Sequence, residues 1–450
     1  MRFDAIVVGS GQSGNPLAVK LAEKGWQVAL VERGELGGTC VNRGCTPTKT
    51  MVHRAQVAHY ARRASRWGVH ASSVRVDLEE VVRQKNAVVK SWRESVEEEI
   101  AGQKSLKLFR AEARFVAPHK LEVGGEVLES DKIFIDTGGR PAVPSIEGLD
   151  EVPYLTSDTI LDLEVMPDHL LVIGGGYIGL EFGQMFRRFG SKVTIIQDGG
   201  QIVPREDPEI AETLQRALEE EEIEFRLDTK IERLAHNKRF SVHVNGKTVS
   251  GSHLLVATGR KANSEDLCLE TAGVKCDSRG AILVNDRLET NVPGIWAMGD
   301  VNGGPAFTHI SYNDYQIVYS NVAEGKSRST KGRVVPYCVF TDPQLGGVGI
   351  TEKQARKQGY RLKIGSLPMS SVARAVERDE SAGMMKLVVD ASNDMILGAT
   401  VLGVEGGETV QILSVLMQLR QPYTAMKEAI YTHPTLAEGL FRLFESVKPA

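Results

Sequence analysis

The chain has 450 residues, of which 42% are hydrophobic and 25% charged, and its formal net charge is -4 at pH 7. This length predicts roughly two to four domains of an ordinary globular protein. The weak negative charge provides no basic field for nucleic acid, and no apolar run of about 18 residues predicts a membrane span. The N-terminal apolar run reaches a glycine cluster too soon for a secretory signal, so we expect a cytoplasmic protein.

A strand–turn–helix–strand pattern opens the chain. The apolar run at residues 3–8 ends in a Gly-x-Gly-x-x-Gly turn, a helical pattern follows, and the apolar run at 28–31 ends at Glu32. Such an order is typical of a dinucleotide-binding unit, because the glycines let the backbone approach a pyrophosphate and the acid binds a ribose hydroxyl. The residues predicted to bind this cofactor are Gly9, Gly11, Gly14 and Glu32.

Two of the five cysteines lie in residues 37–49, which read Gly-Gly-Thr-Cys-Val-Asn-Arg-Gly-Cys-Thr-Pro-Thr-Lys. Pro47 and the helical pattern after it predict a helix start at or just before Cys45, where free N–H groups and the helix dipole favour a thiolate. On this stretch alone, Cys40 and Cys45 fit a redox-active disulfide and unrelated thiols about equally. A structural disulfide is disfavoured in the cytosol, and zinc would need two more ligands, for which only His53 is near. We interpret as structural thiols the cysteines without a pairing pattern: Cys268, Cys276 and Cys338.

The pattern of the first unit recurs later in the chain. A strand at residues 170–173 leads into Gly-Gly-Gly-Tyr-Ile-Gly, a helix and a second strand that ends at Gln197. The spacing from Gly174 to Gln197 equals that from Gly9 to Glu32, so two dinucleotides are expected. Glutamine neither repels the 2′-phosphate of NADPH nor binds it as an arginine would, which leaves the choice between NADH and NADPH open.

Other segments connect the two units. Helices are predicted over 76–104 and over 207–221, the latter opened by Asp207 as N-cap with a proline behind it. Thr137-Gly138-Gly139-Arg140 and Thr258-Gly259-Arg260 are similar turns, which we expect to close the two units. From about Val334 the chain alternates short strands with helices and carries no phosphate-binding turn, which predicts an assembly domain.

Together these segments resemble, from end to end, the pyridine nucleotide-disulfide oxidoreductases, the flavoprotein family of dihydrolipoamide dehydrogenase, glutathione reductase and mercuric reductase. The resemblance rests on both glycine turns, the cysteine stretch, Ala-Met-Gly-Asp, Thr-Asp-Pro-Gln and His-Pro-Thr-Leu-Ala-Glu. It implies an α/β fold with two Rossmann-like, three-layer ββα dinucleotide-binding domains and a C-terminal α+β dimerisation domain. The implied FAD-binding domain spans 1–147 and 264–332, the NAD(P)-binding domain spans 148–263, and 333–450 would dimerise a homodimer.

The resemblance also implies roles for single residues. FAD and NAD(P)H are the expected cofactors, Tyr177 would cover the flavin, and Lys49 with Glu181 would form an ion pair beside its reactive nitrogen, unless that pair is an ordinary surface contact. No metal ligand is assigned. The implied cofactor-binding residues are Gly9, Gly11, Gly14, Glu32, Gly38, Thr39, Lys49, Thr137, Gly138, Gly174, Gly176, Tyr177, Gly179, Gln197, Gly259, Asp300, Phe307 and Thr308.

In the implied mechanism, electrons pass from NAD(P)H through FAD to a Cys40–Cys45 disulfide. Cys45 would face the flavin and Cys40 would exchange with substrate. His433, oriented by Glu438, resembles an acid/base pair supplied by the other subunit, since a dithiol must lose protons and a leaving thiolate must gain one.

Two substrate classes remain open. His433 and His309 favour a dihydrolipoamide dehydrogenase-like enzyme acting on a disulfide or dithiol, and Val19 stands where glutathione reductases usually have an arginine. The Cys-Thr-Pro-Thr-Lys run is closer to mercuric-reductase-like proteins, although we expect neither their paired-cysteine tail nor their N-terminal metal-binding module here. The alternative is therefore a stress-defence reductase of a metal ion or of a reactive oxidant such as hypothiocyanous acid. A non-catalytic flavoprotein is a third possibility if the cysteines are inert.

Overall fold

The structure, a computed structural model, describes residues 1–450. Its strands are β1 (Ala5–Val8), β2 (Val28–Val31), β3 (Leu106–Phe109), β4 (Ala113–Ala117), β5 (Lys120–Val123), β6 (Glu126–Glu129), β7 (Ile133–Ile135), β8 (Gly139–Pro141), β9 (His169–Ile173), β10 (Lys192–Ile196), β11 (Ile223–Arg226), β12 (Ile231–Asn237), β13 (Arg239–Val244), β14 (Lys247–Gly251), β15 (His253–Val256), β16 (Arg260–Ala262), β17 (Ile295–Ala297), β18 (Pro336–Val339), β19 (Gln344–Gly349), β20 (Leu362–Pro368), β21 (Met384–Asp390), β22 (Ile396–Gly403) and β23 (Lys448–Pro449). Its α-helices are α1 (Gly14–Glu23), α2 (Gly38–Arg43), α3 (Cys45–Arg63), α4 (Leu78–Ala101), α5 (Tyr177–Phe189), α6 (Pro208–Glu220), α7 (Thr308–Glu324), α8 (Glu352–Lys357), α9 (Ala373–Glu377), α10 (Gly406–Gln418) and α11 (Gly439–Glu445). None of these helices combines the length and the apolar character needed to cross a membrane.

Two parallel sheets form the repeated units. The first has the strand order β17-β7-β1-β2-β3 and the second the order β11-β10-β9-β15. In both sheets the strand before the glycine turn pairs with the strand that follows the next helix, β1 with β2 and β9 with β10. Every residue of β1, β2 and β9 is buried, as expected for a parallel sheet covered on both faces. The predicted α/β fold with a duplicated nucleotide unit is confirmed.

The two similar turns lie against each other. β8 contains the end of the first turn and β16 the end of the second, and these short strands pair antiparallel, with Gly139 opposite Ala262. The hydroxyl of Thr137 donates to the carbonyl of Asn263 at 2.7 Å. The turns therefore join the two nucleotide units, in addition to ending their sheets.

The cysteine helix begins where the sequence predicts, at Cys45 in α3. The structure adds α2, a helix of 6 residues that carries Cys40. This helix was missed because it is too short to show a helical pattern of apolar residues. The two cysteines consequently lie on different helices, separated by a break at Gly44, whose φ is -127° and ψ -118°.

Asp207 has a different role from the one predicted. The helix α6 starts at Pro208 as expected, but the Asp207 side chain makes no cap hydrogen bond to it. Its carboxylate instead accepts the backbone N–H groups of Glu352 and Lys353 at 3.0 and 3.1 Å, at the start of α8. Lys386 donates to the same carboxylate at 2.8 Å. Because these charge-assisted contacts satisfy the buried carboxylate, Asp207 ties the second nucleotide unit to the C-terminal part.

The C-terminal part is built on a six-stranded antiparallel sheet with the order β18-β19-β22-β21-β20-β23, against which α10 packs. Its inner face has its own core, which includes Leu413 and Phe444. A second core is shared: Met51 of the cysteine helix packs in one cluster with Phe182 of α5 and Val339 of β18. This shared core fixes the cysteine helix relative to the second nucleotide unit.

Candidate active site

A single cavity of about 1310 Å³ connects most of the predicted site. It is lined by the first glycine turn, the cysteine helices, the start of α5 and the start of α7. The predicted site residues that line it are Gly9, Gly11, Glu32, Gly38, Thr39, Cys40, Cys45, Lys49, Thr137, Gly138, Tyr177, Glu181, Asp300, Phe307 and Thr308. The predicted residues that do not line it are Gly14, Gly174, Gly176, Gly179, Gln197, Gly259, His433 and Glu438.

Both glycine turns require glycine for steric reasons. A Cβ on Gly9, whose φ is +103°, would lie 2.2 Å from the carbonyl oxygen of Asp136, and one on Gly14 would lie 2.0 Å from the carbonyl oxygen of Gly9. In the second unit, a Cβ on Gly174 or Gly179 would lie 2.5 or 2.0 Å from a backbone oxygen. This packing of helix on strand is the geometry that dinucleotide-binding turns use.

The residues present suit FAD in the first unit. At Gly138, whose φ is +66°, a Cβ would meet no atom within 4 Å, so the backbone there is open to the cavity. At the end of β2, one oxygen of Glu32 accepts the N–H and the hydroxyl of Ser10, both at 2.9 Å. The carboxylate is thereby held at the position where a Rossmann fold binds an adenosine ribose.

Asp136 is a buried residue of this turn that sequence reasoning missed. Its Oδ2 accepts the N–H groups of Ser13 and Gly14 at 3.2 and 2.6 Å, beneath the start of α1. Burial raises the pKa of this carboxyl well above its ordinary value, although the two N–H groups favour the charged form. Asp136 comes directly before the Thr-Gly turn of the first unit, and Ala257 comes directly before the corresponding turn of the second unit. A comparison of the two units in the sequence would therefore have shown that only the first has an acid at this position.

The two cysteines are free thiols with opposite acidities. A hydrogen bond from Cys40 lowers the pKa of Cys45 to about 6 despite burial, with further help from Thr308 and Lys49. The hydroxyl of Thr308 lies 3.1 Å from the Cys45 sulfur. The same hydrogen bond, together with burial, raises the pKa of Cys40. Above about pH 6 these pKa shifts favour the negative charge on Cys45 and the proton on Cys40.

Lys49 and Glu181 form a partly buried ion pair in the wall of the cavity. Their Nζ and Oε2 atoms are 2.7 Å apart, and the Glu181 side chain is only 3% exposed. The other Glu181 oxygen accepts the backbone N–H of Phe340 at 2.8 Å, and the Lys49 ammonium lies 4.7 Å from the centre of the Phe340 ring. Burial opposes the charge on Lys49, but Glu181 outweighs it and raises the pKa of the ammonium. The interpretation of this pair as an ordinary surface contact is wrong.

An aromatic wall continues from the start of α7. The ring of Phe307 stacks on His309 and on Tyr337, with centroids 5.4 and 6.2 Å apart. His309 Nε2 also lies 2.7 Å from the carbonyl oxygen of Pro336. Cys338 is next to this wall, and burial raises the pKa of its thiol to about 12. A thiol held protonated in this way fits the structural role predicted for it.

His433 and Glu438 lie outside the cavity. Nδ1 of His433 is 2.9 Å from a carboxylate oxygen of Glu438, and the histidine side chain is 72% exposed whereas the glutamate is 16% exposed. The carboxylate orients the imidazole so that Nε2 points away and remains free to take a proton. The structure brings these two side chains together on the exposed surface of the chain.

Three further carboxylates converge away from the cavity, on Asp207, Glu209 and Glu352. Lys386 contacts all three, and the mutual attraction of these charges holds the cluster together. The cluster is therefore an ion-pair network between the second unit and the C-terminal sheet.

Comparison with known proteins matches the whole chain to one family. Residues 3–314 match the model described as pyridine nucleotide-disulphide oxidoreductase, and residues 335–443 match the dimerisation domain of the same family. The chain is 38% identical to a probable pyridine nucleotide-disulfide oxidoreductase, RclA of Escherichia coli, over 99% of this chain and 100% of the relative. It is 36% identical to a mercuric reductase of Bacillus cereus, over 97% and 70%, and 36% identical to a dihydrolipoyl dehydrogenase of Thermus scotoductus, over 99% and 97%.

A solved structure has the same fold throughout. The HOCl-induced flavoprotein disulfide reductase RclA from Escherichia coli superimposes with a TM-score of 0.91 at 38% identity, covering 99% of this chain and 100% of that chain.

Proposed function

The chain belongs to the pyridine nucleotide-disulfide oxidoreductases, a family that uses FAD and NAD(P)H, and from this premise we propose how its residues perform the reaction. Residues 1–147 and 264–332 would hold FAD, residues 148–263 the nicotinamide coenzyme, and residues 333–450 the second subunit. The division is supported by the separate sheets of these regions and by the dimerisation-domain match.

The observation that carries the proposal is the unequal acidity of Cys40 and Cys45. FAD bound here would supply the electron pair, received from the nicotinamide coenzyme, that opens the Cys40–Cys45 disulfide. Glu32 and the turn of Gly9 and Gly14 would hold it. Of the two thiols then formed, Cys45 is the one that loses its proton readily, so Cys40 needs an external base before it can attack a substrate.

We assign that base to His433 of the partner subunit, oriented by its Glu438. The imidazole takes the proton from the Cys40 thiol, and the Cys40 thiolate attacks one sulfur of the substrate disulfide. The substrate S–S bond breaks, a mixed disulfide forms at Cys40, and the imidazolium protonates the departing thiolate. Cys45 thiolate then attacks the sulfur of Cys40, which re-forms the protein disulfide and releases the second substrate sulfur as a thiolate, which takes its proton from solvent.

A homodimer is supported by the exposure of this region. The side chain of His433 is 72% exposed, and the apolar side chain of Ile430, three residues before it, is fully exposed in the single chain. Both residues lie in the segment that matches the family's dimerisation domain, and their exposure in the single chain fits a surface that a second copy covers.

The substrate we propose is a small disulfide or dithiol. The descriptions of the relatives suggest a second class of substrate. The 38% identical relative of known structure is described as HOCl-induced, and another relative as a mercuric reductase. These descriptions favour a reactive oxidant, such as hypothiocyanous acid, or a metal ion as the alternative substrate of the same dithiol.

Steady-state assays of the purified flavoprotein distinguish these candidates. NADH and NADPH are each tested with lipoamide, small disulfides, hypothiocyanous acid and mercuric ion. The first proposal expects the highest kcat/KM with a disulfide and its loss in Cys40→Ser and Cys45→Ser. A highest kcat/KM with hypothiocyanous acid or mercuric ion would support the alternative, and full activity of Cys40→Ser would refute the dithiol mechanism.

A further inference from the structure

Gln197 occupies the place of Glu32 in the second nucleotide unit and makes the same contact with the glycine turn. In the first unit Glu32 accepts the N–H of Ser10 at 2.9 Å, and in the second unit the amide oxygen of Gln197 accepts the N–H of Gly175 at 2.8 Å. The amide oxygen is therefore used in holding the turn. The amide nitrogen of Gln197, with its two N–H donors, points to a different partner.

That nitrogen holds a carboxylate. Nε2 of Gln197 donates to Oδ1 of Asp198 at 3.1 Å, and Asp198 is exposed at the end of β10. In a Rossmann unit this strand end is where the adenosine ribose of the coenzyme binds. In the first unit the acid at the strand end is Glu32. In the second unit the acid is Asp198, one residue after the position that corresponds to Glu32.

A second carboxylate lies beside the same loop. The N–H of Asp228 donates to the carbonyl of Gly199 at 3.1 Å, and a Cβ on Gly200 would lie 3.1 Å from Oδ1 of Asp228. The N–H of Thr229 donates to the carbonyl of Gln197 at 3.0 Å, which fixes the end of β11 against this loop. Two carboxylates therefore border the expected ribose position.

Few basic side chains lie along this loop. Residues 198–204 contain no lysine or arginine, and the first basic residue after them is the exposed Arg205. Arg226, at the end of β11, is paired with Glu224 at 2.5 Å. A 2′-phosphate would be bound by free basic groups and repelled by carboxylates, whereas a free 2′-hydroxyl donates a hydrogen bond to a carboxylate.

We propose that Asp198, positioned by Gln197, selects NADH over NADPH in the second nucleotide unit. The inference rests on the proposed function in one respect, namely that this unit binds the nicotinamide coenzyme. Asp228 contributes to the selection through its charge. The opposite result, a preference for NADPH, would require the 2′-phosphate to lie between two carboxylates, beside a loop (residues 198–204) that carries no basic residue.

The test is binding of the oxidised coenzymes to the purified flavoprotein by isothermal titration calorimetry, with no turnover involved. We expect NAD+ to bind at least about 10-fold more tightly than NADP+, and Asp198→Arg to reduce or reverse this ratio by a similar factor. Asp228→Asn should reduce it by a smaller factor. Asp150→Arg makes the same charge change at an exposed position before this unit's sheet and should leave the ratio unchanged.

The outcomes separate this inference from the proposed function. Equal or tighter binding of NADP+ by the unchanged protein would overturn the inference, as would an unchanged ratio in Asp198→Arg that still binds both coenzymes. Binding of neither coenzyme would overturn the assignment of the second unit and the inference with it. Anaerobic reduction of the flavin by NADH and by NADPH, followed by its absorbance, gives a second readout that needs no disulfide substrate.

Discussion

Nζ of Lys49 lies 2.7 Å from Oε2 of Glu181 and joins the helix that carries Cys45 to the first α-helix of the second nucleotide unit. Glu181 also binds the backbone of Phe340 in the C-terminal part. One carboxylate therefore fixes the relative positions of three parts of the chain around the dithiol.

Removal of the cation from this pair should destabilise the protein. Lys49→Met leaves the buried Glu181 carboxylate without its counter-ion, and we expect a loss of about 1–3 kcal/mol, less than for a fully buried pair because the Lys49 side chain is 31% exposed. Chemical unfolding of the flavoprotein measures this loss in the free energy of unfolding. Lys20→Met, which breaks an exposed pair with Glu23, is the matched control and should cost less than about 1 kcal/mol. Equal losses in the two variants would show that the Lys49 pair is not a stabilising contact.

The dithiol should titrate at Cys45 first. Because its pKa is lowered to about 6, Cys45 is mostly thiolate above about pH 6 and gains a proton as the pH falls through that value. Alkylation of the reduced protein at different pH values, read by mass spectrometry of the Cys45 peptide, measures the transition. Thr308→Val removes a hydrogen bond to the thiolate and should move the transition to higher pH, whereas Thr308→Ser should preserve it. Titration of Cys45 near the ordinary thiol pKa would contradict the assignment of the charge.

His433 should matter for disulfide turnover alone. His433→Ala removes the base for Cys40, and we expect kcat to fall by about 100-fold to 10,000-fold. Anaerobic flavin reduction by the coenzyme should keep its rate, since this step does not use the imidazole. Glu438→Gln keeps the size of the side chain but weakens the orientation of the imidazole, so its effect should be in the same direction and smaller. If disulfide turnover and flavin reduction by the coenzyme slow equally in His433→Ala, the histidine has a structural role.

Mutations in the two glycine turns should affect the binding of different cofactors. Gly179→Ala places a Cβ 2.0 Å from a backbone oxygen of the second turn and should weaken coenzyme binding while FAD is retained. Gly14→Ala makes the equivalent clash in the first turn and should lower the FAD content of the purified protein. Gly102→Ala is the control, because its Cβ would lie 3.4 Å or more from its neighbours. Flavin absorbance and calorimetry with NAD+ measure the two effects, and loss of FAD from Gly179→Ala would contradict the assignment.

The sequence predicts the local features of the site and misses the long-range ones. The glycine turns and the start of α3 at Cys45 follow from spacing within a few residues, so they could be predicted. The contacts of Asp136 with Gly14 and of Asp207 with Glu352 cross 122 and 145 residues of chain. No local pattern signals such partners. For the same reason the pairing of β8 with β16 and the burial of Glu181 were found only in three dimensions.

The most direct test of the account is a mixed dimer in which one subunit carries His433→Ala and the other Cys40→Ser, isolated with two different affinity tags. If His433 serves the Cys40 of the other subunit, one of the two sites is intact and the mixed dimer should turn over disulfide at about half the rate of the unchanged dimer. The two parent homodimers should both be inactive in this assay. An equally inactive mixed dimer would contradict the account, since it would show that His433 serves Cys40 of its own chain.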